Sequence, residues 1–104
     1  MRINDKILDI VNRFLDEAEK YDIHILQAIL FGSYAKGTNT EYSDIDLAIV
    51  SSDFVGTRYL DNQKIRRAKL NVSYELETHP FSPEDFDEEN PFVKEILTTG
   101  VKIK

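Results

Sequence analysis

Cysteine and tryptophan are absent from this chain of 104 residues, and methionine occurs once. Without cysteine there can be no disulfide, no thiolate zinc site and no cysteine nucleophile. Apolar runs are short. None approaches a membrane span, and the charged opening Met1-Arg2-Ile3-Asn4-Asp5-Lys6 lacks the apolar core of a signal peptide, so a cytoplasmic location away from membranes is expected. Positive charge is scarce as well, with 13 basic against 19 acidic residues and a net charge of -6. Sequence-independent binding to nucleic acid requires Lys and Arg to neutralise phosphates, so this balance disfavours direct nucleic-acid binding and a polymerising role. Repeats, low-complexity tracts and linkers are missing too. The length suits one domain over residues 1–104 with a single core and leaves no room for a separate substrate-binding domain, so an acceptor would bring its own surface.

What is present is concentrated in residues 30–50, L-F-G-S-Y-A-K-G-T-N-T-E-Y-S-D-I-D-L-A-I-V. An apolar run ends at Phe31, Gly32-Ser33 opens a polar connection closed by Gly37, and Ser43-Asp44 leads into a second apolar run from Ile45 to Val50. That pattern predicts strand, turn, strand. On an alternating strand Asp44 and Asp46 project from one face and Ile45, Leu47 and Ile49 from the other, with the two carboxylates roughly 6.6 Å apart along the strand. A divalent cation between them turns their repulsion into coordination, and hard oxygen donors of this kind suit magnesium shared with substrate phosphates. The turn supplies the complement: Gly32 permits close backbone approach, and the Ser33 hydroxyl and the amides of a short helix opening there can donate to phosphate oxygens. The plain alternative is a polar hairpin turn over Thr38 to Asp44, with both aspartates on a solvated strand face.

Gly32-Ser33, ten intervening residues and then Asp44-Ile45-Asp46, with Gly37 and Ser43 also in place, resembles the signature of the DNA-polymerase-beta-like nucleotidyltransferases. In so short a chain it is similar to the minimal nucleotidyltransferases (MNT), many of which are antitoxins of HEPN/MNT modules. The resemblance implies an α/β nucleotidyltransferase fold, a small mixed sheet flanked by helices. It implies transfer of AMP from ATP to a hydroxyl, with Asp44 and Asp46 holding magnesium, as a pair of ions, against the phosphates. Gly32, Ser33 and Ser43 belong to the nucleotide-binding set it implies, and Lys36 stands where the family often has arginine, placed to offset charge on pyrophosphate. The acceptor it implies is a tyrosine of a HEPN toxin. Two other functions stay open: an antitoxin that masks its toxin without catalysis, and a small-molecule nucleotidyltransferase of the aminoglycoside-modifying kind.

Elsewhere, apolar residues at Ile3, Ile7, Leu8, Ile10, Val11, Phe14, Leu15 and Ala18 predict an amphipathic helix over residues 3–20. Ile23 to Phe31 reads as a central strand, with His24 an ordinary strand-end histidine. Arg58 to Lys69 reads as a helix with Tyr59, Leu60, Ile65 and Ala68 inward; it is the one basic segment, either a solvated face or a lure for a triphosphate or an acidic partner. Residues 71–78 alternate, Val72, Tyr74 and Leu76 against Ser73, Glu75 and Glu77, which puts both glutamates on the face of Asp44 and Asp46. Either could complete a metal site or take a proton from an attacking hydroxyl. Resemblance favours Glu77, since family members carry a glutamate just before a His-Pro pair, here His79-Pro80. His79-Pro80 itself reads as a strand terminator, with contact between His79 and the nucleotide as the alternative. Ser82-Pro83 and Asn90-Pro91 each predict a helix start, Gly100 a stop, and Val101 to Lys104 an edge strand.

Overall fold

A computed structural model describes residues 4–73 and 75–104. Helix α1 (Asp5–Lys20) begins where the Asn4 side chain accepts from the Lys6 amide at 2.8 Å, and it buries Ile7, Ile10, Val11, Phe14 and Ala18 at helical spacing. Ile3 and Tyr74, both assigned to elements by the sequence pattern, lie outside the described residues. Strand β1 (Gln27–Phe31) is followed by the single helical turn α2 (Ser33–Lys36), strand β2 (Ile45–Val50) and helix α3 (Arg58–Val72). Strand β3 (Leu76–Phe81), helix α4 (Pro91–Thr99) and the two-residue strand β4 (Val101–Lys102) complete the chain.

The strands form one mixed sheet in the order β3-β2-β1-β4. β1 runs antiparallel to β2 and β4, whereas β2 and β3, joined through α3, are parallel. Alternation gives the sheet two unlike faces. Ala28, Leu30, Ile45, Leu47, Ile49 and Leu76 point to one, where α1 and α3 close over them in the main core with Phe14 and Ile65. Ile29 and Ala48 point to the other, against Ile96 of α4 and the half-buried Phe31, Phe81 and Phe86.

The expected α/β class and mixed sheet are observed, with several boundaries moved. β1 starts at Gln27 rather than Ile23, because its partner β2 ends at Val50, opposite Gln27. Ile23 and Ile25 are buried as loop residues instead, so their apolar character reflects the core and not the ladder. α3 continues to Val72 and displaces the expected strand start: β3 begins at Leu76 and runs through His79-Pro80 to Phe81. Pro80 is tolerated because β3 lies at the sheet edge, where its missing N–H interrupts no pairing. Within α3, Ile65 and Ala68 are buried as expected, but Tyr59 and Leu60 are exposed and Asp61 is fully buried. The Asp61 carboxylate accepts from the amides of Val55 at 2.8 Å and Gly56 at 3.0 Å, so it ties down the loop entering the helix. Ser82-Pro83 starts only a turn, in which the amides of Asp85 and Phe86 donate to the Ser82 carbonyl, and the Phe86 ring then packs on Phe81 at 5.2 Å. Asn90-Pro91 does begin α4, with the Asn90 side chain accepting from the Phe92 amide at 2.9 Å, and Gly100 ends it.

Candidate active site

The apolar ladder of β1 stops at Phe31, and Gly32 then adopts φ 75°, a conformation open to glycine at little cost. A side chain there would also collide with the Asp46 carboxylate, whose Cγ would lie 3.2 Å from an added Cβ. Glycine is thus required twice over, by its backbone and by its neighbour. α2 opens at Ser33 and closes at Gly37, itself left-handed at φ 75°. In the following loop the Ser43 hydroxyl accepts from the Thr40 amide at 2.8 Å, which draws the chain back toward β2.

Asp46 is the second residue of β2, in register with Phe31 on one side and Glu77 on the other. Its strand face is the one turned away from α1 and α3, and Glu77 and His79 share it. One ligand-type atom from each of Asp46, Glu77 and His79 lies within 4.8 Å of the others. Asp44 lies just ahead of the strand, exposed and outside this group. Glu75, the alternative third carboxylate, is exposed in the turn before β3, and it is its backbone carbonyl that meets β2, accepting from the Ile45 amide at 2.9 Å.

The sequence reading missed the arrangement around His79. Its ring is buried, edge-on to Phe31 at 4.9 Å and Phe92 at 5.9 Å between centroids. The Arg58 guanidinium, which can only donate, reaches Nδ1 at 3.2 Å, so Nδ1 accepts and the proton sits on Nε2. Nε2–H in turn donates to Oδ1 of Asp46 at 3.3 Å. Burial is the main influence holding the imidazole below its ordinary pKa; the Asp46 hydrogen bond opposes it, and the Arg58 charge reinforces it. A neutral His79 therefore bridges a cation and a carboxylate. It leaves Oδ2 of Asp46 turned toward Gly32. The signal for this was available: once a strand runs through Pro80, residues 77 and 79 share a face with Asp46.

Arg58 also lies 4.0 Å from Glu77, both side chains being about half exposed. Lys36 does not reach into the carboxylate group; it pairs with Glu95 of α4 at 3.5 Å beside a hollow of about 200 Å³ floored by Phe31 and Gly32. A second hollow of about 290 Å³ opens beside His79, between Arg58, Phe81, Asn90 and Phe92. His24 is exposed and hydrogen-bonded to Asp53, away from these groups.

As a donor set, Asp46 and Glu77 present hard oxygens side by side with Gly32 within reach, which fits a divalent cation shared with phosphate oxygens. His79 is poorly disposed to be a ligand in this arrangement, since its Nε2 carries the proton that Asp46 accepts.

Comparison with known proteins bears on this geometry. A family model described as a nucleotidyltransferase domain matches residues 8–102. A Methanocaldococcus jannaschii protein named as a candidate protein adenylyltransferase, MJ1305, is 34% identical over 110 residues, an alignment covering 97% of this chain and 74% of that protein. A Sulfolobus solfataricus crystal structure described as a candidate nucleotidyltransferase superposes with a TM-score of 0.67 at 17% identity, over 93% of this chain and 78% of its own. A toxin–antitoxin crystal structure with AMP-PNP superposes with a TM-score of 0.59 at 21% identity, over 93% of this chain and 72% of its own. A double Asp-to-Glu mutant of the toxin–antitoxin pair MntA–HpeT gives a TM-score of 0.56 at 19% identity, with the same two coverages of 93% and 72%. At these identities the solved structures bear on the fold.

Proposed function

The chain belongs to the nucleotidyltransferase family, in its minimal form, and from that membership we propose that it is an antitoxin-type protein adenylyltransferase. It moves AMP from ATP to a hydroxyl of a partner protein. The observation that carries this reading is the register pairing of Asp46 with Glu77, set against the glycine that opens the Gly32-Ser33 turn.

The roles follow from position. Gly32 and Ser33 receive the outer phosphates. Asp44, Asp46 and Glu77 would hold magnesium, which when bound neutralises phosphate charge and favours ionisation of the attacking hydroxyl. Glu77 stands on the outer strand, half exposed, and takes the hydroxyl proton as the oxygen bonds to the α-phosphorus and the bond to the β-phosphate oxygen breaks, releasing pyrophosphate. His79 keeps Asp46 aimed at the phosphates by occupying its other oxygen. Lys36, relieved of Glu95, would meet the departing pyrophosphate. Ser43 shapes the loop that delivers Asp44. The aromatic hollow beside His79 would take the base.

The acceptor proposed is a tyrosine of a HEPN-class toxin. Support comes from the family resemblance, from the relative's name and from the two toxin–antitoxin neighbours. The test is intact mass of this protein and of the product of the adjacent gene, as the candidate toxin, after incubation with labelled ATP and magnesium. A gain of adenylate on the toxin, lost in Asp46→Asn, is the expected result. A stable complex with no mass change would sink the catalytic reading and leave an antitoxin that acts by masking.

A further inference from the structure

The geometry points to the groove between α3 and the edge strand β3 as the dock for the acceptor protein, and to an acidic segment carrying the target hydroxyl as its occupant. This rests on the reading that the acceptor is a protein. The groove holds about 490 Å³ and is lined by Arg58, Tyr59, Arg66, Lys69 and Leu70 of α3, with Glu77 of β3 at its margin. Three observations place an acceptor here.

The first is the sheet order. From β1 through β2 to β3, the site presents Gly32, then Asp46, then Glu77. With the outer phosphates at Gly32-Ser33, pyrophosphate leaves toward β1, and in-line displacement brings the attacking hydroxyl from the opposite side. That side is the β3 edge, where Glu77 lines both the site and the groove.

The second is charge. The protein carries -6 overall, yet every solvent-facing charge on α3 is positive: Arg58, Lys64, Arg66, Arg67 and Lys69. The helix's single acid, Asp61, is fully buried and committed to two backbone amides. Among the described residues, neither Arg66 nor Lys69 forms an ion pair. A cationic strip on an acidic protein attracts an acidic surface and repels basic ones.

The third is apolar exposure on the same strip. Tyr59 is 71% exposed and Leu70 53%, at spacings that flank Arg66 and leave both side chains toward the groove. An aromatic and an aliphatic anchor among arginines make a protein-binding surface more than a phosphate site.

The probe is a fluorescein-labelled random copolymer of glutamate and tyrosine, with a lysine–tyrosine copolymer as its counterpart, titrated by anisotropy without ATP. Wild type is expected to bind the acidic polymer and not the basic one. Arg66→Glu should weaken binding roughly tenfold, whereas Arg67→Glu, the same change in net charge from outside the groove, should cost roughly twofold or less. Lys69→Glu should follow Arg66→Glu, and affinity for magnesium-ATP should be unchanged in all three. No binding by wild type, or equal losses in the Arg66 and Arg67 variants, would overturn the assignment. So would a selective loss of ATP affinity in Arg66→Glu, which would give the groove to the triphosphate. The readout needs no transfer: if adenylate reaches no acceptor but the Arg66-specific loss is seen, the catalytic reading falls and the groove stands as a dock for an acidic partner segment.

Discussion

The two faces of the sheet divide the protein's labour. Against α1 and α3, Phe14, Leu30, Ile45, Leu47, Ile49, Ile65 and Leu76 have essentially no exposure, and burial of that apolar area is the principal source of stability. On the opposite face the apolar cluster is small, and toward the end where β1 meets α2 it gives way to Asp46, Glu77 and His79. β2 serves both sides in successive residues, Asp46 outward and Leu47 inward. The contrast teaches that a chain this short can place like charges together when one strand face is relieved of the task of holding the fold.

The sharpest way to break the comparison is to mutate those neighbours. Asp46→Asn should lower transfer by about 10³-fold while urea denaturation is displaced by less than about 1 kcal/mol. Leu47→Ala should cost about 3 kcal/mol of stability by the same denaturation. Loss of stability in the Asp46 variant equal to that in the Leu47 variant would show the division to be false.

Next in size is Asp61→Ala, which orphans the amides of Val55 and Gly56 on the packed side and should destabilise by about 2 kcal/mol. Its catalytic rate at saturating substrate should hold in the fraction that remains folded. His79→Ala tests the open face without touching a carboxylate: manganese affinity, by calorimetry, should fall about tenfold, and His79→Gln, which retains a donor toward Asp46, should recover most of it. The smallest effect belongs to neither face. Asp53 is held below its ordinary pKa chiefly by the His24 amide, with the His24 ring adding to it. A depressed folded pKa contributes stability above the unfolded value of about 4 and loses it as pH falls through the folded one. The Tm of wild type should therefore fall toward that of Asp53→Asn as pH drops through the unfolded value of about 4 and below it, and a constant gap would exclude this linkage.

Much of this was legible because local chemistry and tertiary structure agree. The stripe from Ile7 to Ala18 has one reading, and the glycines of the Gly32-Ser33 turn meet backbone demands that other residues meet poorly. The misreadings arose where distant partners decide. Pro80 looked like a strand end because the sequence does not say that β3 is an edge. Nothing in the sequence around Asp61 marks it as buried, because its two amide donors come from a loop outside the helix. Arg58 is read from its charge and Lys36 from family resemblance, while their actual neighbours, His79 and Glu95, lie far along the chain. Asn71 and Val72 share the polar–apolar alternation of the strand residues near them, yet α3 keeps both, because helix continuation needs no partner strand and β pairing does.

The edge position of β3 has one more consequence. Glu75 and Phe81 turn their carbonyls toward β2, so by alternation the backbone groups of Leu76, Thr78 and Pro80 face outward. Pro80 has no N–H, and that of Leu76 is taken at 3.4 Å by the Ser73 carbonyl, which leaves Thr78 as the single outward donor. A visiting strand finds outward carbonyls to donate to but a single amide to accept from, so it cannot complete a two-way ladder. The protein can present its reactive edge to another molecule with the edge blunted against continued strand addition, so that recognition there leans on side chains.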